Sequence, residues 1–256
     1  MTLGSVPIVE LRGLTAAYRH RPVLEGIDLT IAAGERVAVV GPNGAGKSSL
    51  LRVVTGILRP TDGSVLLAGE PVADLDRRAV ARRLAVVPQA STLPFATRVE
   101  ELVGLGRIPH EDPFRGHRPV DRAAIAGAID RVGVGHLLGR DVRELSLGER
   151  QLVLLALAVA QSTPLMLLDE PTAHLDVRHQ VQVMELLVDL NERDLATIVA
   201  VVHDLGFAGH FFERVVVLDR GRIVADDVPD RALDPERIRD VFGVDPALVR
   251  LSRAVD

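Results

Sequence analysis

The 256-residue chain has no cysteine, no tryptophan and a single tyrosine, Tyr18. Without cysteine there is neither a disulfide framework nor a thiolate metal site. Aromatic residues make up 3% of the chain, too few for a platform on which nucleic-acid bases stack. The longest uninterrupted apolar run, Leu152 to Ala160, is nine residues. A helix that crosses a bilayer needs roughly 20, so none is expected. The start of the chain lacks the basic-then-apolar pattern of a secretory signal. Positive charge is also short. Thirty Lys and Arg stand against 35 Asp and Glu, a net charge of −5, so no basic surface points to a nucleic-acid partner. The scarcest charged residue is lysine: Lys47 stands alone beside 29 arginines. Such a position is one where a compact point charge is hard to replace by a guanidinium fork.

What is present describes a globular α/β protein, with 47% hydrophobic and 25% charged residues. Apolar residues alternate over 7–32, which predicts short antiparallel strands. Arg36 to Val40 reads as a strand, Gly41 to Gly46 as a glycine-rich loop, and Lys47 onward as a helix carrying Leu50, Leu51, Val54 and then Ile57-Leu58. Pro60 to Gly63 reads as a turn, Ser64 to Leu67 as a strand, Arg77 to Arg82 as a short helix and Leu84 to Val87 as a strand. Residues 98–160 hold helical patterns and no convincing strand. One helix runs from Arg98 to Gly106 and stops before Pro109; another is capped by Asp121; a third runs from after Leu145 to Gln161. Strands return at Leu165 to Leu168, Thr197 to Val202, Arg214 to Leu218 and Gly221 to Ala225. Arg178 to Arg193 is helical, and 231–243 form a short helical tail. The expected organisation is a core from 1–90 and 162–225, a helical insert at 91–161, and a tail at 226–256.

Gly41-Pro42-Asn43-Gly44-Ala45-Gly46-Lys47-Ser48 matches the P-loop pattern G-x-x-x-x-G-K-[ST]. Glycines let the backbone fold tightly, so that its N–H groups converge on phosphate oxygens. The helix that starts at Lys47 adds its positive N-terminal end. Lys47 would bind the β- and γ-phosphates, and the Ser48 hydroxyl would bind Mg²⁺. The bland alternative is a glycine turn with a surface lysine, but the pattern sits between a strand and a helix, as its chemistry requires. Leu165 to Leu168 is an apolar strand that ends in Asp169-Glu170. Such a strand delivers carboxylates at its C-terminal edge, where α/β sheets bind ligands. Beside a P-loop, Asp169 is placed to hold Mg²⁺ through water and Glu170 to polarise an attacking water. Alone, two acids after a strand are more often a helix cap.

By these motifs and those that follow, the chain resembles an ATP-binding-cassette (ABC) transporter ATPase over nearly its whole length. Leu145-Ser146-Leu147-Gly148-Glu149 resembles the Leu-Ser-Gly-Gly-Gln signature, 23 residues before Asp169. Gln89 resembles the glutamine of the loop that joins core and helical insert, contacting Mg²⁺ or water. Ala173-His174-Leu175-Asp176 resembles the D-loop at a dimer seam, and His203 the switch histidine near the γ-phosphate. Tyr18 matches the aromatic that stacks on adenine, and Ser49 closes the ATP-binding loop. A lone Gln or His at a strand end is more often structural; here the shared order of five motifs argues for function. Two positions depart from the family pattern: Leu147 stands where glycine is usual and Glu149 where glutamine is commonest. Either the signature is degenerate, or only the backbone of Leu147 is used. The second reading is preferred, because Ser146 and Gly148 keep the hydroxyl and the close N–H.

The resemblance implies the ABC ATPase fold: a P-loop NTPase core with an antiparallel β subdomain and an inserted all-helical subdomain. It implies ATP and Mg²⁺, a second copy of the chain as partner, two membrane permease subunits and, indirectly, an extracytoplasmic substrate-binding protein. ATP would lie between one chain's P-loop and the other's signature. The expected location is the cytoplasmic face of the membrane, reached through the permease. Phe95 to Val103, Gly106-Arg107-Ile108-Pro109-His110 and the tail Val241 to Asp245 resemble the importers of ferric siderophores, haem and cobalamin. For Arg107 to His110 the alternative is a helix stop with solvated side chains. A groove between the Gln89 loop and the 99–110 helix is expected to receive the permease, with Glu100 and Glu101 beside it. Competing functions are the ATPase of an exporter, a soluble ABC protein acting on nucleic acid or ribosomes, and a P-loop kinase or GTPase. The insert has neither the heptads nor the basic clusters of the second, and the third would not need Ser146 to Gly148 or His203.

Overall fold

The structure, a computed structural model, describes residues 6–89, 96–111, 116 and 118–249. Strands β1 (Val9–Tyr18) and β2 (Arg21–Ile31) form a long antiparallel hairpin rather than the short strands expected. β3 (Arg36–Val40) leads through the glycine-rich loop into α1 (Lys47–Val54). That helix ends a turn earlier than its apolar pattern suggested. Gly56 takes φ 73°, and Ile57 lies exposed beyond it. β4 (Asp62–Leu67) absorbs the Asp62-Gly63 of the predicted turn, and β5 (Glu70–Pro71) pairs with it. The small sheet runs β2-β1-β4-β5 and is antiparallel throughout.

After α2 (Arg77–Ala81) and β6 (Leu84–Val87), the chain turns helical with α3 (Val99–Gly104), α4 (Pro119–Val132) and α5 (Leu147–Ala160). Phe95 lies outside the described residues. Two expectations fail here. The backbone does not stop before Pro109; it tightens into a 3₁₀ turn over Leu105–His110 that contains the proline. Asp121 does not cap α4. Arg118 holds the N-cap position, Pro119 follows it, and Asp121 stands at N3, accepting the Arg118 backbone N–H at 3.0 Å.

The rest is β7 (Leu165–Asp169), α6 (Val177–Asp194), β8 (Thr197–Val201), α7 (Leu205–Phe211), β9 (Arg214–Asp219), β10 (Arg222–Asp227), α8 (Pro229–Ala232) and α9 (Pro235–Phe242). The large sheet runs β10-β9-β3-β8-β7-β6, parallel except for the β9–β10 edge. Its middle strands are covered on both faces, which is why Leu165 to Leu168 and Thr197 to Val201 read as unbroken buried runs rather than alternations. One side faces the hairpin sheet and α1; the other faces α5 and α6. α5 is apolar nearly all round because it lies inside the protein, under α3 and α4 and against β6.

The Gly106–His110 segment ties α3, α4, α5 and α2 together. The Arg107 guanidinium, 5% exposed, donates to Asp121 Oδ1 at 3.1 and 3.2 Å and to the Ala160 carbonyl at 2.8 Å. Asp121 is wholly buried, and the Arg118 and Arg107 contacts hold its carboxyl far below the usual range, the Arg118 side chain first. His110 Nε2 lies 2.8 Å from the Gln161 carbonyl, and the Gln161 amide donates to the Ala81 and Leu84 carbonyls. Arg107 and His110 are therefore not solvated after a helix stop. They close the C-terminal end of α5, whose last carbonyls need partners.

Two glycines in this region give opposite expectations. A Cβ on Gly106 would lie 2.3 Å from the Leu157 carbonyl oxygen, so Gly106→Ala should destabilise the protein by about 1–3 kcal/mol. Gly127 lies within α4 with open space around it and no positive φ. Gly127→Ala should stabilise by roughly 0.5–1 kcal/mol. Urea unfolding of both variants, with unchanged slope, checks the pair.

Candidate functional site

The register of the large sheet places the motifs. Val39 pairs with Val201, and Val201 with Asp169. Val87 pairs with Leu168 one step back. The P-loop, His203, Asp169-Glu170 and Gln89 thus leave four adjacent strands within two residues of one line across the sheet. Neighbouring strands lie about 4.8 Å apart, so these side chains share one edge, the carboxyl edge.

The P-loop needs its glycines for two reasons at once. Gly41 has φ 152° and Gly46 φ 105°. A Cβ on either would run into backbone, at 2.1 Å from the Leu218 oxygen or 2.6 Å from the Val23 oxygen. α1 opens on Gly46 with no side-chain cap and no acid in its first turn. Its amides and positive end thus face a small cavity of about 250 Å³. Asn43, Gly44, Gly46, Lys47, Ser48, Ser49 and Glu170 line it, together with Val23. Pro42 and Ala45 shape the loop: the Ala45 N–H donates to the Pro42 carbonyl at 3.2 Å. The Lys47 ammonium, 6% exposed, donates to the Gly41 and Pro42 carbonyls at 2.8 and 2.9 Å. Burial lowers its pKa, opposed by the charges of Glu170 and Asp169.

Ser48 Oγ donates to Asp169 Oδ1 at 3.1 Å. Burial pushes the Asp169 carboxyl up, the Ser48 hydrogen bond pulls it down, and the Glu170 charge raises it again. At Glu170 the chain leaves the sheet in a left-handed conformation, φ 52°. Its N–H extends the ladder to the Val201 carbonyl at 3.2 Å, and its carbonyl accepts from Ala173 at 3.1 Å. A non-glycine residue held this way is costly and must be fixed by its surroundings. The turn aims the carboxylate at two partners: Gln89 Nε2 lies 2.5 Å from Oε2, and His203 Nε2 contacts Oε1.

The remaining sequence candidates lie elsewhere in the chain. Ser146 caps α5, accepting the Glu149 N–H at 3.2 Å, while the Glu149 carboxylate accepts the Ser146 N–H at 2.8 Å. Leu147 is 50% exposed and has no positive φ. Asp176 caps α6. None of these lines the P-loop cavity. Tyr18 does not line it either; its hydroxyl accepts from Arg52 of α1 at 2.9 Å. Glu100 and Glu101 are engaged inside the insert, accepting the Gly139 and Arg98 backbone N–H groups. Charge reversal there would also remove these two hydrogen bonds. Sequence reasoning missed His179, which packs against Gly148 and Asp176. Its place three residues after a capping aspartate was the available signal.

The family model described as ABC transporter matches residues 24–173. The chain belongs to the ABC transporter family. It is 42% identical over 245 residues to a cobalamin import ATP-binding protein of Halobacterium salinarum, covering 93% of this chain but 61% of that one. It is 38% identical to the ferric enterobactin transport ATP-binding protein of Escherichia coli, covering 93% and 88%. To a hemin import ATP-binding protein of Nocardia farcinica it is 44% identical, covering 92% and 80%. Among solved structures, an inward-facing ABC transporter described as metal-chelate type superposes with a TM-score of 0.82 at 28% identity, over 93% of this chain and 90% of that one. A dimeric ATP-binding cassette bound to ADP and Pi gives 0.74 at 28% identity, over 86% and 98%. The fold is the ABC ATPase fold, with its antiparallel β sheet and its helices between β6 and β7.

Leu147 is the family departure that this geometry explains. Its backbone is not in the left-handed region, and its side chain projects from the first turn of α5. Glycine is not needed there. Leu147→Gly should change steady-state ATPase by less than about tenfold. Gly148→Asp should abolish turnover while the isolated chain still binds ATP. A nearly inactive wild type rescued by Leu147→Gly would establish a degenerate signature instead.

Proposed function

We propose that the chain is the ATP-hydrolysing subunit of an ABC importer for a ferric siderophore, haem or cobalamin. Two copies would enclose ATP, each chain's P-loop opposite the Ser146–Glu149 turn of the partner subunit, with the D-loop Asp176 at the seam. The carrying observation is Glu170, turned off the sheet in a strained conformation between Gln89 and His203 at the mouth of the P-loop. A carboxylate so placed orients and deprotonates a water for in-line attack on a γ-phosphate. His203 steadies that carboxylate from one side and Gln89 from the other. Lys47 and the loop amides hold the phosphate charge. Ser146 and Gly148 of the partner would add a hydroxyl and a helix-start N–H. Tyr18, at the end of β1, would stack on adenine.

The site also fits Mg²⁺. Ser48 Oγ at the start of α1 and Asp169 Oδ1 at the end of β7 are hard oxygen donors 3.1 Å apart, Gln89 follows the neighbouring strand β6, and a hard cation takes such ligands. When bound, it would neutralise charge on the β- and γ-phosphate oxygens. The Asp169 carboxyl, raised by burial, would be held ionised by such a charge.

The importer class rests on the relatives at 38–44% identity. No helix among the described residues is long and apolar enough to cross a membrane, so membrane attachment would run through two permease chains, with an extracytoplasmic binding protein delivering the cargo. The helical insert at 91–161 would carry permease movement to the core, and closure of the sandwich would draw the permeases together.

Glu170→Gln keeps the shape and removes the base. It should retain ATP and elute as a dimer in Mg-ATP, while Lys47→Ala should weaken ATP binding and abolish hydrolysis. A Glu170→Gln chain that stays monomeric, or turns over normally, sinks the assignment. The cargo is read separately. The membrane chain that co-purifies should support uptake of an iron chelate, haem or cobalamin, and Lys47→Ala should abolish that uptake. Wild-type uptake of all three without this chain would refute the importer class.

A further inference from the structure

Gly148, the second residue of α5, is buried and has no positive φ. Its backbone does not call for glycine; its neighbour does. A Cβ at this position would lie 2.7 Å from Cγ and from Cδ2 of the His179 ring, and 2.9 Å from Nε2. The imidazole occupies the space a side chain would need, and Asp176 orients it there. Asp176 caps α6 by accepting the His179 backbone N–H at 2.9 Å, and each of its carboxylate oxygens lies 2.9 Å from His179 Nδ1. With Nδ1–H directed at the carboxylate, the far edge of the ring, Cδ2 and Nε2, is pressed toward Gly148. One side chain thus spans two segments of the same chain: the end of the D-loop and the start of the signature helix.

We propose that His179 is a positioning residue whose ring, anchored by Asp176, sets the spacing between the signature turn and the D-loop, so that both reach the partner's nucleotide as one unit. The proposal rests on the sandwich reading given above. It follows from packing. A tight contact passes displacement on rather than absorbing it, and Gly148 has no side chain with which to follow a retreating neighbour. A displacement of about 1 Å in groups that stabilise a reacting phosphate costs up to roughly a hundredfold in rate. A ring that only filled space would affect stability and leave turnover alone.

The test is a double-variant cycle on the full chain, reading kcat, KM and ATP affinity of the isolated chain. His179→Ala should lower kcat about tenfold and leave ATP affinity unchanged, because the loss falls across the seam. Gly148→Ala should lower kcat further, since the new methyl meets the ring. The Gly148→Ala/His179→Ala protein should turn over faster than Gly148→Ala alone, because the ring's removal makes room for that methyl. His179→Asn keeps a donor for Asp176 without the ring, so it should behave as His179→Ala does even if Gly148→Ala does not fold. Wild-type kcat in His179→Asn or His179→Ala overturns the role, as do losses that simply multiply in the double variant. If Glu170→Gln stays monomeric in Mg-ATP, the sandwich reading falls and the role with it. A dimer with multiplying losses overturns the role alone.

Discussion

The candidate site depends on one constraint: four strands far apart in sequence lie side by side, parallel and in register. β3, β8, β7 and β6 each end at the same edge. A parallel sheet sends all its strand ends the same way, and its spacing fixes how far apart they can be. A slip of one residue in β7 would turn Asp169 and Glu170 to opposite faces, and neither the Ser48 contact nor the Gln89 and His203 contacts would survive. The buried aliphatic runs of these strands are therefore part of the chemistry. They hold the register that brings a hydroxyl, two carboxylates, an amide and an imidazole to one place.

The strain at Glu170 is carried by that same sheet. Its N–H continues the β7–β8 ladder to Val201 while its own φ is already left-handed. The ladder fixes the residue on one side and the hydrogen bond from Ala173 closes the turn on the other. Strain of this kind persists where the surroundings over-determine it, and here they direct the carboxylate toward two polar partners.

Much of this was legible in the sequence because it was local or patterned. The P-loop declares itself by glycine spacing; the strand ahead of Asp169 declares itself by its apolar run. What was hidden came from contacts between distant segments. Pro109 looked like a stop, but Arg107 reaches the α5 carbonyls and Asp121, and that contact carries the backbone through the proline as a 3₁₀ turn. Asp121 looked like a cap because aspartates favour that position. It stands at N3 instead, where it serves two arginines as well as the Arg118 N–H. Ile57 and Leu58 kept a helical spacing that Gly56 cut short. In each case a tertiary contact or one backbone angle outweighed the local pattern.

The signature turn shows the same division within three residues. The family pattern has two consecutive glycines, and this chain keeps one. Leu147 lies where the helix begins, its side chain half in solvent and its backbone ordinary. Nothing in its own chain presses on it, so a large side chain costs little there. Gly148 is one residue further on and faces inward, against an imidazole that Asp176 holds in place. A methyl there would move the ring, the cap of α6 or the start of α5. One glycine of the pair answers to the packing of its own chain, and the other does not. That difference lets a leucine stand at 147, while any side chain at 148 would meet the His179 ring, so the contact between two helix starts adds a constraint at 148 beyond its backbone N–H.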